Sequence, residues 1–231
     1  MKSTFFMLLL ALSMTACNES TRKIGLDGSA EKQVQRDSSK VAIADLPILI
    51  DSTDYLIHPI GYITDNSKYS SYSKKSHQKT YNISRYHNFN ITGEFSNLKF
   101  QQLNSEKITA LTDKIVEITS IRFLENIRIQ TGRQYLVYTI RDLDTNNDAK
   151  INSKDFESLY ISNINGENLK KISPELTQLV DWKIIPQLNR LYFKSIADTN
   201  MDGEFDKKDN LNYHFVDLDD NVMNVVSYQP I

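Results

Sequence analysis

This chain of 231 residues predicts an all-β fold: antiparallel sheets in about three four-stranded repeats. Three observations carry that expectation. Apolar and polar residues alternate with a period of two through much of the chain beyond residue 47, and long helical periodicity is absent. A strand–loop–strand–turn–strand order recurs. Two twelve-residue acidic segments with the same spacing each fall between two alternating runs.

The N-terminus sets the expected compartment. Lys2 precedes an apolar run over 5–14, followed by Thr15-Ala16-Cys17. A charged start, a short apolar stretch and small residues describe a secretory signal, too short for a spanning helix. Cysteine directly after Thr-Ala resembles the bacterial lipobox, with Met14 in place of the usual leucine. That resemblance implies removal of residues 1–16 and a lipid on Cys17. An ordinary cleaved signal with a chance cysteine is the alternative. Cys17 is the single cysteine, so the chain has no disulfide of its own to form. Residues 17–46 then read as the lipidated cysteine and a polar, flexible tether reaching about 30 Å. Residues 47–231 suffice for one domain with a proper core. A net charge of −2 gives no steer toward nucleic acid.

A first unit is expected from strands at 55–63, 81–91, 96–103 and 107–111. Inside it, the stretch 66–88 holds Lys68, Lys74, Lys75, Lys79 and Arg85 among Tyr69, Tyr72, Tyr81 and Tyr86, with no acidic residue. Such a mixture can stack on sugars or grip an anionic polymer; a long solvated insertion is the plainer alternative. The middle unit is expected from 115–121, 133–140, 158–162 and 168–172, with Asn165-Gly166 as a hairpin turn. The last is expected from 179–185, 190–194, 212–216 and 223–228, with Trp182 in the core.

Between the second and third strands of the last unit lies Asp198-Thr199-Asn200-Met201-Asp202-Gly203-Glu204-Phe205-Asp206-Lys207-Lys208-Asp209. Numbered 1 to 12, it carries side-chain oxygens at 1 (Asp198), 3 (Asn200), 5 (Asp202), 9 (Asp206) and 12 (Asp209). Gly203 stands at the sharp turn of position 6, and Glu204 offers its backbone carbonyl at 7. Phe205, at 8, is an apolar anchor. A hard cation such as Ca²⁺ takes six or more oxygens, and alternate positions on a tight loop supply them. The corresponding stretch of the middle unit is Asp144-Thr145-Asn146-Asn147-Asp148-Ala149-Lys150-Ile151-Asn152-Ser153-Lys154-Asp155. Its ligand positions are Asp144, Asn146, Asp148, the Lys150 carbonyl, Asn152 and Asp155. Two calcium sites are therefore expected. The 198–209 loop should be tighter, because it has one more carboxylate and because Ala149 replaces glycine, at a cost of roughly 1–2 kcal/mol for a left-handed Cβ. A solvated acidic hairpin is the alternative for each.

Both loops end in Asp, which resembles bacterial dockerin loops, and they resemble EF-hands in ligand spacing alone. The run Ser158-Leu159-Tyr160-Ile161-Ser162 through Asn165-Gly166 to Leu169-Lys170-Lys171-Ile172 resembles a blade of a TolB-type β-propeller. Closed propellers use about four to eight blades, so the resemblance implies an open stack or a partial propeller, with a β-sandwich as the alternative.

These features favour a calcium-stabilised, lipid-anchored, non-enzymatic module of the bacterial cell envelope, at the outer membrane or cell surface, binding a protein or glycan partner. One alternative is an envelope glycan hydrolase, but the clustered carboxylates are assigned as ligands and Glu94, Glu106, Glu117 and Glu125 stand singly. The other is a calcium-responsive partner-binding sensor. His58, His77, His87 and His214 show no zinc spacing.

Overall fold

The computed structural model describes residues 34–35, 40–64, 82–200 and 205–231. The signal sequence, Cys17 and most of the Tyr/Lys-rich stretch lie outside them. In order come β1 (Lys40–Ala44), β2 (Ile48–Leu49), β3 (Tyr55–Thr64), β4 (Ser84–His87), β5 (Asn90–Gln102), β6 (Ile108–Ala110) and β7 (Glu117–Phe123). A short helix α1 (Glu125–Thr131) leads to β8 (Tyr135–Arg141), β9 (Ser158–Asn163), β10 (Lys170–Lys171), β11 (Thr177–Ile185), β12 (Arg190–Ala197), β13 (Asn210–Asp217) and β14 (Val225–Tyr228).

The fold is all-β, with antiparallel sheets. The last unit is a separate four-stranded meander, β11-β12-β13-β14. The middle unit is the meander β7-β8-β9-β10. It joins the first unit through β5–β7 pairing (Ile91 opposite Ile121, Phe95 opposite Ile118), so both lie in one ten-stranded sheet.

β5 explains that fusion. It runs unbroken where the sequence suggests two strands. Its buried positions change phase, from Ile91 and Phe95 to Leu98 and Phe100. The phase change coincides with a bulge, where Ile60 opposes Asn97 and Gly61 opposes Phe95, leaving Ser96 extra. The first half of β5 can thus pair with β7 while the second pairs with β6.

Two further differences follow from local chemistry. β1 puts Lys40–Ala44 on the edge of β3, inside the stretch assigned to the tether. The 66–88 insertion ends in a strand, because Arg85 and Tyr86 belong to β4, which turns through Asn88 and Phe89 (both φ > 0) into β5.

β8 is buried on both faces, and its sides feed two cores. Leu136, Tyr138 and Ile140 join Ile57, Phe95, Leu98, Phe100, Ile118 and Ile121. Tyr135 and Val137 join Leu159, Ile161, Leu191, Phe193 and Val216, so the last sheet is stacked on the middle unit, with Trp182 partly buried at its margin. Each such Leu, Ile or Phe contributes about 1.5–3 kcal/mol on burial. Gly166 closes the β9–β10 hairpin at φ +80°, and a Cβ there would stand 2.5 Å from the Phe100 ring.

Candidate metal centre

Each acidic loop joins two strands: the first connects β8 to β9, the second β12 to β13. The 144–155 loop is described in full. Asp144 accepts the Asp148 N–H on Oδ1 (3.1 Å) and the Ala149 N–H on Oδ2 (2.6 Å). Asn146 Oδ1 also accepts the Asp148 N–H (3.0 Å), and Asp148 Oδ1 accepts the Lys150 N–H (3.0 Å). Asp148 Oδ2 lies 3.4 Å from the amide nitrogens of both Asn146 and Asn152. The side chains at positions 3, 5 and 9 thus lie side by side, with the amide nitrogens of Asn146 and Asn152 turned to the Asp148 carboxylate. Ala149 takes a φ of +64° and Asn147 one of +59°, so the turn demands left-handed backbone where the sequence lacks glycine.

Asp155 is the buried latch, 1% exposed. Its Oδ1 accepts from Thr145 N–H (2.9 Å) and Thr145 Oγ1–H (3.2 Å), and its Oδ2 from Asn152 N–H (2.8 Å). Burial pushes its carboxyl above the usual range, against the opposing pull of those backbone donors. Lys154 N–H donates to Asn152 Oδ1 (3.0 Å), and Phe156 N–H to Thr145 Oγ1 (3.1 Å).

The 198–209 loop repeats four of these bonds, although the Thr199 hydroxyl donates to the Ala197 carbonyl (3.2 Å) where that of Thr145 donates to Asp155. Thr199 N–H donates to Asp209 Oδ1 (2.9 Å), Asp206 N–H to Asp209 Oδ2 (2.8 Å), Lys208 N–H to Asp206 Oδ1 (2.8 Å) and Asn210 N–H to Thr199 Oγ1 (3.2 Å). Asp198 is 9% exposed. Asp202 and Glu204 lie outside the described residues. The threonine at position 2 is the residue that ligand-counting passes over. Its hydroxyl ties the start of each loop to the residue that follows position 12. The shared Asp-Thr-Asn opening carries that signal.

The fit to a hard cation rests on the donor chemistry. The 144–155 loop offers carboxylate, amide and carbonyl oxygens, with neither nitrogen nor sulfur required. Among the described residues no three His, Cys, Asp or Glu side chains converge alone; the convergence is one carboxylate between two amides.

Beside the first loop, Glu94 and Glu117, isolated in sequence, line one hollow of about 200 Å³ with Lys40, Tyr62, Lys150 and Ile151. Glu117 is ion-paired to Arg141, which also holds Glu157 at 2.6 Å. Burial raises the Glu117 carboxyl, and the Arg141 guanidinium partly offsets this.

The sequence matches no protein-family model and no curated protein. Among solved structures it is similar to a putative TolB from Agrobacterium tumefaciens, at 8% identity over 60% of each chain and a TM-score of 0.26. The chain therefore spans 60% of that structure's length, in a superposition too loose to add to what the strand pairing shows.

Proposed function

We propose that this is a calcium-binding, lipid-anchored protein of the bacterial cell envelope, acting as a non-enzymatic binding and structural module that the ion stabilises. The observation that carries the reading is the repeated circuit: two loops, far apart in sequence, fix positions 2, 9, 11, 12 and 13 with the same four hydrogen bonds. In the first loop, Asp144, Asn146, Asp148, the Lys150 carbonyl, Asn152 and Asp155 would hold the ion. In the second, Asp198, Asn200, Asp202, the Glu204 carbonyl, Asp206 and Asp209 would do so. The ion would supply fixed positive charge that cancels carboxylate repulsion and locks each hairpin.

Each loop joins strands, so binding would stiffen a hairpin rather than open a helix pair as sensor EF-hands do. The lipid on Cys17 and the envelope location rest on the sequence motif. Extracellular modules work with dissociation constants of about 10⁻⁴–10⁻³ M, and an ion at 100 times Kd adds about 2.7 kcal/mol to stability. Thermal melts in excess calcium and in chelator test this. A higher Tm in calcium supports the reading, and identical melts reject it.

A further inference from the structure

The face of the last sheet that points away from the core carries a second candidate site. Leu191, Phe193 and Val216 face inward. By strand alternation, Tyr192, Tyr213 and Phe215 face outward. Tyr228 of β14 stands opposite Tyr213. The rings form one array: Tyr192 lies 5.7 Å from Tyr228 edge-on, and Tyr213 lies 5.9 Å from Tyr228. Phe215 is capped by the Arg190 guanidinium at 4.4 Å, which also faces Asp217 at 3.6 Å.

The rest of the face is open. A hollow of about 210 Å³ is lined by Asp181, Lys183, Tyr192, Lys194, Tyr213 and Tyr228. Lys183 stands across from Tyr192, and Lys194 stands between Tyr213 on one neighbouring strand and Asp181 on the other, with no ion-pair contact to Asp181 within 4 Å. Neither lysine has an ion-pair partner among the described residues. Cross-strand aromatic pairs contribute to the stability of a sheet. They do not account for two unpaired ammonium groups and a carboxylate around a tyrosine-walled recess.

The geometry points to a saccharide site for a carboxylated pyranose, the repeating element of acidic polysaccharides. Tyrosine faces take the C–H face of the ring, and their hydroxyls and Asp181 bond its hydroxyls. Lys183 and Lys194 meet its carboxylate, so charge complementarity selects an acidic over a neutral sugar. This names the ligand class of the binding module proposed above and rests on that reading, but on neither calcium loop.

Calorimetric titration of the full chain, in calcium and at low salt, is the test. The probes are a hexasaccharide of alternating glucuronate and N-acetylglucosamine and a neutral N-acetylglucosamine hexamer. The acidic probe should bind about tenfold more tightly than the neutral one. The Lys183→Gln/Lys194→Gln double variant, which leaves the ring array intact, should erase that preference with an unchanged melt. Tyr213→Ala should weaken both probes about tenfold. No binding of the acidic probe, equal binding of the two, or unaltered binding by both variants overturns the proposal. Calcium-insensitive melting with saccharide binding intact would remove the calcium reading alone.

Discussion

The ring of Phe205, at position 8 of the second loop, lies 5.0 Å from the ring of Phe156, the residue that follows the last ligand position of the first, tilted by 48°. Phe156 is itself tied to Thr145 by its N–H. The two acidic loops are therefore mechanically joined: a shift in either is felt at one aromatic contact. Aromatic pairs of this kind contribute about 0.5–1.5 kcal/mol beyond area burial. A double-mutant cycle with Phe156→Ala and Phe205→Ala, read by chemical denaturation, should show a coupling energy in that range. Strict additivity would separate the loops.

Ala149 holds a left-handed turn with a Cβ attached. Relief of that strain, less the extra freedom glycine gains when unfolded, leaves a net gain of about 0.5–1 kcal/mol for Ala149→Gly. Denaturation in chelator should show it. Calcium titration should find the first loop tightened too, because the turn is prepaid.

Arg141 sits between Glu117 and Glu157 and is mostly buried itself. Arg141→Met would leave two carboxylates facing each other without a cation, and should cost about 2–3 kcal/mol at neutral pH. The sign of its pH dependence is fixed. Glu117 already has a raised pKa through burial, and losing its cation raises it further. The variant's deficit should therefore shrink as the pH falls through the carboxylate range and Glu117 takes up a proton. A constant deficit from pH 7 to 4 would contradict this.

His214 is buried, with its Nδ1 at 3.1 Å from Ser227 Oγ, its ring stacked at 4.9 Å on Phe193 and its Nε2 without a partner among the described residues. Burial lowers its pKa below 6.5. A depressed folded pKa means that stability is full above 6.5 and declines as the pH falls below it, since the unfolded chain takes the proton first. Melts in chelator between pH 7.5 and 5 should show that loss, and His214→Gln should reduce it.

Much of the last unit was legible in the sequence. Its four strands fall where the period-two pattern puts them, since β12 and β13 each bury alternate residues, such as Leu191, Phe193, His214 and Val216. That each acidic stretch is a loop between two strands was legible for a similar reason: a turn pattern is local. The continuity of β5 was not. Its apolar phase slips at Ser96, and a bulge is a property of pairing with β3, which a single strand does not display. β1 escaped because an exposed edge strand needs no apolar stripe. The outward tyrosine array and the Phe156–Phe205 contact depend on which strands become neighbours, so sequence distance hides both.

The proposed function has two caged cations rigidify a body whose sequence holds a single cysteine. Equilibrium dialysis of the purified chain against calcium, followed by elemental analysis, measures it most directly. The expected result is two ions per chain, falling to one when Asp198 and Asp209 are both changed to Asn. No bound calcium in the wild-type chain at millimolar free ion would contradict it.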